Sequence, residues 1–167
     1  MGRFRVLAVV LLVWQAASVG FGAVEFAYDQ PPPAAAVVAA LVTVAGWVAL
    51  AVWAGRHSIT AFVWFAAVVW LLILATPVAA MLLVAAEGDS VAPWHQAMIL
   101  PILFAGGSLH PLAWFVPLAD QEYQTMVVAG AMLVVSIGSY LLSRALSRRG
   151  KAGPAEAGTE DQGLPEV

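Results

Sequence analysis

Between Phe4 and Leu142 the chain alternates long apolar runs with short polar breaks. Four runs, Phe4 to Ala23, Ala34 to Ala54, Thr60 to Ala86 and Thr125 to Leu142, are close to or above the roughly 20 residues a helix needs to cross the hydrocarbon core. They are apolar on every face and do not alternate, so they are not barrel strands. A lone segment in lipid must satisfy its own backbone N–H and C=O groups, which leaves only the helix.

The breaks carry turn chemistry. Asp29 to Ala35 (DQPPPAA) is a rigid extended link whose last proline is suited to open the second helix at its first position. Gly55 to Ser58 (GRHS) supplies a helix stop, a charge and a serine suited to cap the third helix. Glu87 to Ser90 (EGDS) ends that third helix. At about 27 residues it outruns the bilayer and is expected to tilt, or to bend at Thr76-Pro77.

A fifth stretch, Trp94 to Asp120 (WHQAMILPILFAGGSLHPLAWFVPLAD), is apolar and long enough to cross, but Pro101, Pro111, Pro117 and the Gly106-Gly107 pair interrupt it. Asp89 or Ser90 can cap a helix with Pro93 in its first turn, and the glycine pair stops it. Ser108 or His110, followed by Pro111, then starts a second short helix. Each arm is about ten residues, or about 15 Å, half the thickness of the core. The pattern predicts a re-entrant hairpin over residues 93–118.

Charge placement discriminates between that hairpin and a fifth crossing. The basic residues fall at Arg3 and Arg5, at Arg56, and at Arg144, Arg148, Arg149 and Lys151. Short flanks rich in Lys and Arg stay cytoplasmic. With the N-terminus inside, four spans and a hairpin that does not cross keep all seven basic residues on that side, whereas a fifth span exports the last four. The expected fold is therefore an all-α integral membrane protein with four transmembrane helices plus a re-entrant or interfacial helical hairpin between the third and fourth; five transmembrane helices are the alternative. Residues 1–150 form a single transmembrane helical domain. Residues 151–167 have no apolar periodicity and form a disordered cytoplasmic tail. The first run, with its basic start and small residues near Ala23, also resembles a secretory signal peptide; a retained helix is the favoured reading.

Composition agrees. The chain is 62% hydrophobic and 10% charged, against about 25% charged in soluble domains, so the bilayer is its solvent. Having no cysteine, it has no disulfide, thiolate metal site or cysteine nucleophile. The formal charge of -3 gives no reason to expect a nucleic-acid partner. Arg over Lys, abundant Ala, Val and Gly and the absence of Asn point to a GC-rich prokaryotic genome, and hence to a prokaryotic cell membrane with both termini cytoplasmic.

Few residues carry candidate chemistry. The hairpin turn offers Gly106, Gly107, Ser108 and His110 as a ligand or substrate site, by analogy with broken transporter helices whose N-termini hold anions at depth. His95 and His110 are a candidate metal or haem pair, though no acidic third ligand accompanies them. Gln15 and Ser18, with Gly22, are polar or small positions suited to helix packing, as are the spaced pairs Ala45/Ala49 and Ala51/Gly55. Trp47 and Trp70 lie deep and read as packing; Trp53, Trp64 and Trp94 lie near interfaces. No Asp, Glu, Lys or Arg falls mid-span, and no catalytic motif is present. The expected function is a non-catalytic subunit or partner of a larger membrane complex, its partners the lipid bilayer and other membrane subunits or a second copy. A small channel or carrier with its site at the turn, and a haem- or metal-binding subunit, are the alternatives.

Overall fold

The computed structural model describes residues 2–21, 30–87, 107–117 and 121–152. These contain α1 (Gly2–Val19), α2 (Ala34–Arg56), α3 (Ala61–Glu87), a helical segment, α4, described over 107–113, and α5 (Gln121–Ala152). All regular structure among the described residues is helical. Three helices, Gly2–Val19, Ala34–Arg56 and the Tyr123–Arg149 part of α5, are long and apolar enough to cross a membrane; Ala61–Ala75 of α3 is a shorter apolar stretch.

The helix ends follow from local chemistry. Pro33 sits in extended backbone (φ -68°, ψ 155°) as the N-cap of α2, and its carbonyl accepts from both Ala36 N and Val37 N. The proline is thus the cap itself, one residue before the first helical position expected for it. At the other end, Ile59 N donates to Ala54 O at 2.9 Å and Ser58 N to Gly55 O at 3.1 Å. This paired pattern closes a helix through a left-handed residue, usually glycine. Here that residue is Ser58, at φ 53°. Gly55 is therefore not the stop, and Ser58 does not cap α3, because it is occupied in ending α2.

Gly55 has a different task. A Cβ at this position would lie 2.5 Å from Tyr140 O and 2.9 Å from Ser143 Cβ, so the missing side chain is what lets α2 and α5 touch. Ser143 Oγ then donates to Val52 O at 2.8 Å across the same contact. Of the spaced small pairs, Ala51/Gly55 is buried in this interface, while Ala45 and Ala49 face outward.

The core is aromatic. Trp47 stacks on Phe65 at 5.3 Å and meets Trp70 at 5.0 Å; Phe62 stacks on Tyr140 at 5.8 Å. Trp47, Trp70, Phe62 and Tyr140 are essentially fully buried. These contacts also fix directions. Leu11 lies against Gly46 and Trp14 against Thr43, so α1 and α2 are antiparallel. Phe62 at the start of α3 meets Tyr140 near the end of α5, so those two are antiparallel as well. Since α3 turns back from α2 after residues 57–60 and α5 opposes α3, α5 runs alongside α2 in the same direction. Arg3, Arg5, Arg56, Arg144, Arg148 and Arg149 consequently gather at one end of the bundle, and Phe21, Gln30 and the start of α5 lie at the other.

The outer faces are as apolar as the core. Trp64 is 75% exposed and Val134 71%, with Leu82, Val13 and Val6 similarly open. Surface of this kind is stable against hydrocarbon, not water, and points to insertion in a membrane.

Candidate functional site

Several buried polar groups meet around one glutamine. Gln15, two-thirds along α1, is fully buried. Its Oε1 accepts from Trp47 Nε1 of α2 at 3.1 Å, an indole donor that fixes which end of the amide is oxygen. Its Nε2 then donates to Ser108 Oγ of α4 at 3.5 Å, the outer limit for such a bond. One turn on, Ser18 Oγ donates back to Gln15 O at 2.7 Å. Beside them Trp14 Nε1 donates to Thr43 Oγ1 at 3.0 Å, and that hydroxyl donates to Ala39 O at 2.9 Å. One amide thereby links three helices. Interhelical hydrogen bonds in membranes contribute about 0.6–2 kcal/mol each.

Helix α4 brings the second half of the site. Gly107, Ser108, Leu109, His110 and Pro111 are all buried, so this short helix is enclosed on every side rather than lying on the bundle. Ser108 and His110 are two residues apart, about 200° around a helix, and so face opposite directions. Ser108 points to Gln15; His110 Nε2 donates to Gln30 O at 3.1 Å, just ahead of α2. The Trp114 ring packs edge-on against His110 at 5.7 Å. Ser108 and Pro111 both lie within the helical residues 107–113, so Ser108 does not cap this helix and Pro111 does not open it. Pro111 has no N–H to give Gly107 O.

Among the sequence-derived candidates, the structure joins Gln15, Ser18 and Ser108 in one network and places His110 on the far face of the same short helix. Gly22, His95 and Gly106 lie outside the described residues. A nitrogen that donates to a carbonyl has no lone pair for a metal, so Nε2 of His110 is committed to Gln30. His57 is at the opposite, basic end, its Nδ1 bonded to Trp53 O at 2.8 Å. No group of three His, Cys, Asp or Glu side chains suited to a metal occurs among the described residues.

The residues missed were Thr43 and Trp47. Trp47 does pack, as its position suggested, but it is also the donor to Gln15. The signal was present: Thr43, the one hydroxyl inside α2, is four residues before Trp47 and therefore on the same face.

A second feature lies on the outside. Between α1 and α2 runs an apolar trough of about 480 Å³, walled by Leu7, Val10, Trp14 and Trp53 with Gly46 and Ala49 on its floor.

No family model matches the chain, and no curated protein or solved structure is similar to it. Function has to be argued from this geometry.

Proposed function

We propose that the chain is a non-catalytic helical subunit of a larger membrane assembly, anchored by four spans, with the stretch that contains α4 entering and leaving on the same side. The shared direction of α2 and α5 supports the four-span layout. A fifth crossing between α3 and α5 would turn α5 over and carry its four basic residues away from Arg3, Arg5 and Arg56. By the rule for basic flanks, the basic end faces the cytoplasm.

The observation that carries the subunit reading is the trough on α1 and α2. Ala49, a small exposed residue in its lining, lets another backbone approach closely, which is how transmembrane helices associate when no hydrophobic effect drives them together. The interior, by contrast, spends its polar groups on holding its own helices together. The occupant is a transmembrane helix of another chain. Replacing Ala49, in the trough, by Leu should abolish co-purification of a stoichiometric partner in mild detergent. Val134→Leu, on an open face of α5, should leave it intact. A wild-type chain that purifies alone and gives no cross-link from position 49 in native membranes would contradict the proposal.

A small channel or carrier is the second reading, favoured by one observation: His110 is an ionisable side chain fully buried within the bundle, and such groups are expensive to keep in a membrane. It requires solute flux in liposomes holding the pure chain, lost in His110→Phe. The subunit reading requires none.

A further inference from the structure

At the basic end, a groove of about 380 Å³ lies between α2 and α5 beside the Gly55 contact. This is within the range of ligand pockets, roughly 300–1,000 Å³. Its lining is mixed in an ordered way. Ser139, Ser143 and Ser147 recur every four residues along one face of α5, Arg56 stands at the mouth, and Leu142 and Leu146 form the lipid-facing rim. Two of the hydroxyls already have tasks: Ser143 Oγ donates to Val52 O at 2.8 Å and Ser147 Oγ to Ser143 O at 2.9 Å. Each still has lone pairs, and Ser139 makes no hydrogen bond among the described residues.

The electrostatics have one sign. Arg56 is exposed, as are Arg148 and Arg149 on the next turn of α5 and Arg3 and Arg5 on α1 at the same end. No acidic side chain shares this end among the described residues. Two carbonyls of the last turn of α2, Ala54 O and Gly55 O, which would oppose an anion, are already taken up by the Ile59 and Ser58 N–H groups. A cationic mouth, hydroxyls one and two turns deeper, and an apolar rim running toward the bundle centre follow the order of parts in a phospholipid: phosphate, ester, acyl chain.

We propose that this groove is a binding site for an anionic phospholipid, with the phosphate at Arg56, the ester region beside Ser139 and one acyl chain along Leu142 and Leu146. The proposal rests on the chain residing in a membrane and is independent of any partner helix at the trough. Basic pockets between membrane helices hold anionic headgroups, and each nearby Lys or Arg contributes roughly five-fold in affinity.

The test uses the full chain, delipidated in a nonionic detergent and titrated with dioleoyl phosphatidylglycerol, dioleoyl phosphatidylcholine or free glycerol 3-phosphate, read by thermal unfolding and by bound lipid in native mass spectrometry. The glycerol lipid should bind at least five-fold more tightly than the choline lipid, and free glycerol 3-phosphate should have no effect. Arg56→Gln should remove roughly five-fold of the preference, and Ser139→Val part of it, while Arg149→Gln, which does not line the groove, changes it less than two-fold. Equal binding of the two lipids overturns the proposal, as does an equal loss, or no loss, in Arg56→Gln and Arg149→Gln. If the preference emerges only after truncation beyond Ala152, the acidic tail of this chain fills the groove, and the lipid assignment is wrong. Binding of glycerol 3-phosphate as tight as that of the lipid would assign a soluble phosphate instead.

Discussion

Gln15 is the residue on which the buried polar cluster depends. Without its amide oxygen, Trp47 Nε1 would be a buried indole donor with no acceptor, in a setting where water cannot substitute. Gln15→Leu should therefore destabilise the chain by about 1–2 kcal/mol although leucine suits a membrane helix better. Trp47→Phe removes the donor but keeps a ring against Phe65 and Trp70, so it should cost less in the Gln15→Leu background than in the wild type. A double-mutant cycle on detergent unfolding midpoints measures this coupling. Additive losses would mean that the 3.1 Å contact carries no energy and that Gln15 is only a space-filler.

The contact between α2 and α5 makes a sharper demand on a single element. Gly55→Ala places a methyl group against Tyr140 O, a backbone atom that cannot swing aside, and should cost about 1–3 kcal/mol in overpacking. Gly130→Ala, where nothing lies within 4 Å, should be neutral or slightly stabilising. Thermal unfolding of the two variants separates a helix contact from a mere surplus of small residues. The same glycine marks where sequence reading fails. The onset of α2 is visible because proline acts locally, through its own φ and its missing N–H. The role of Gly55 depends on Tyr140, 85 positions away, so a local pattern could only suggest a helix stop. Ser58 took the left-handed position that glycine usually holds, and nothing nearby in the chain announces that. The cluster was half legible for the same reason. Gln15 and Ser18 stand out as polar residues in an apolar run, but the pairing of Gln15 with Ser108 spans 93 positions and becomes apparent only when α4 is seen enclosed by the bundle.

For the whole molecule, direction is the property that matters most. Six arginines collect at one end because α1 starts there, α2 ends there, and α5 returns there after lying beside α2. The proposed four-span layout rests on this, as do the proposed same-side return of the stretch between α3 and α5, the proposed cytoplasmic basic end and the proposed lipid groove. A chain without cysteine allows a direct test with single replacements: Phe21→Cys and Pro117→Cys at one end, Ser58→Cys and Ser147→Cys at the other, probed with a membrane-impermeant maleimide. In intact cells the first two should react and the last two should react only after permeabilisation. Reaction of Ser147→Cys from the same side as Phe21→Cys would put the end of α5 across the membrane from Arg56 and contradict the account.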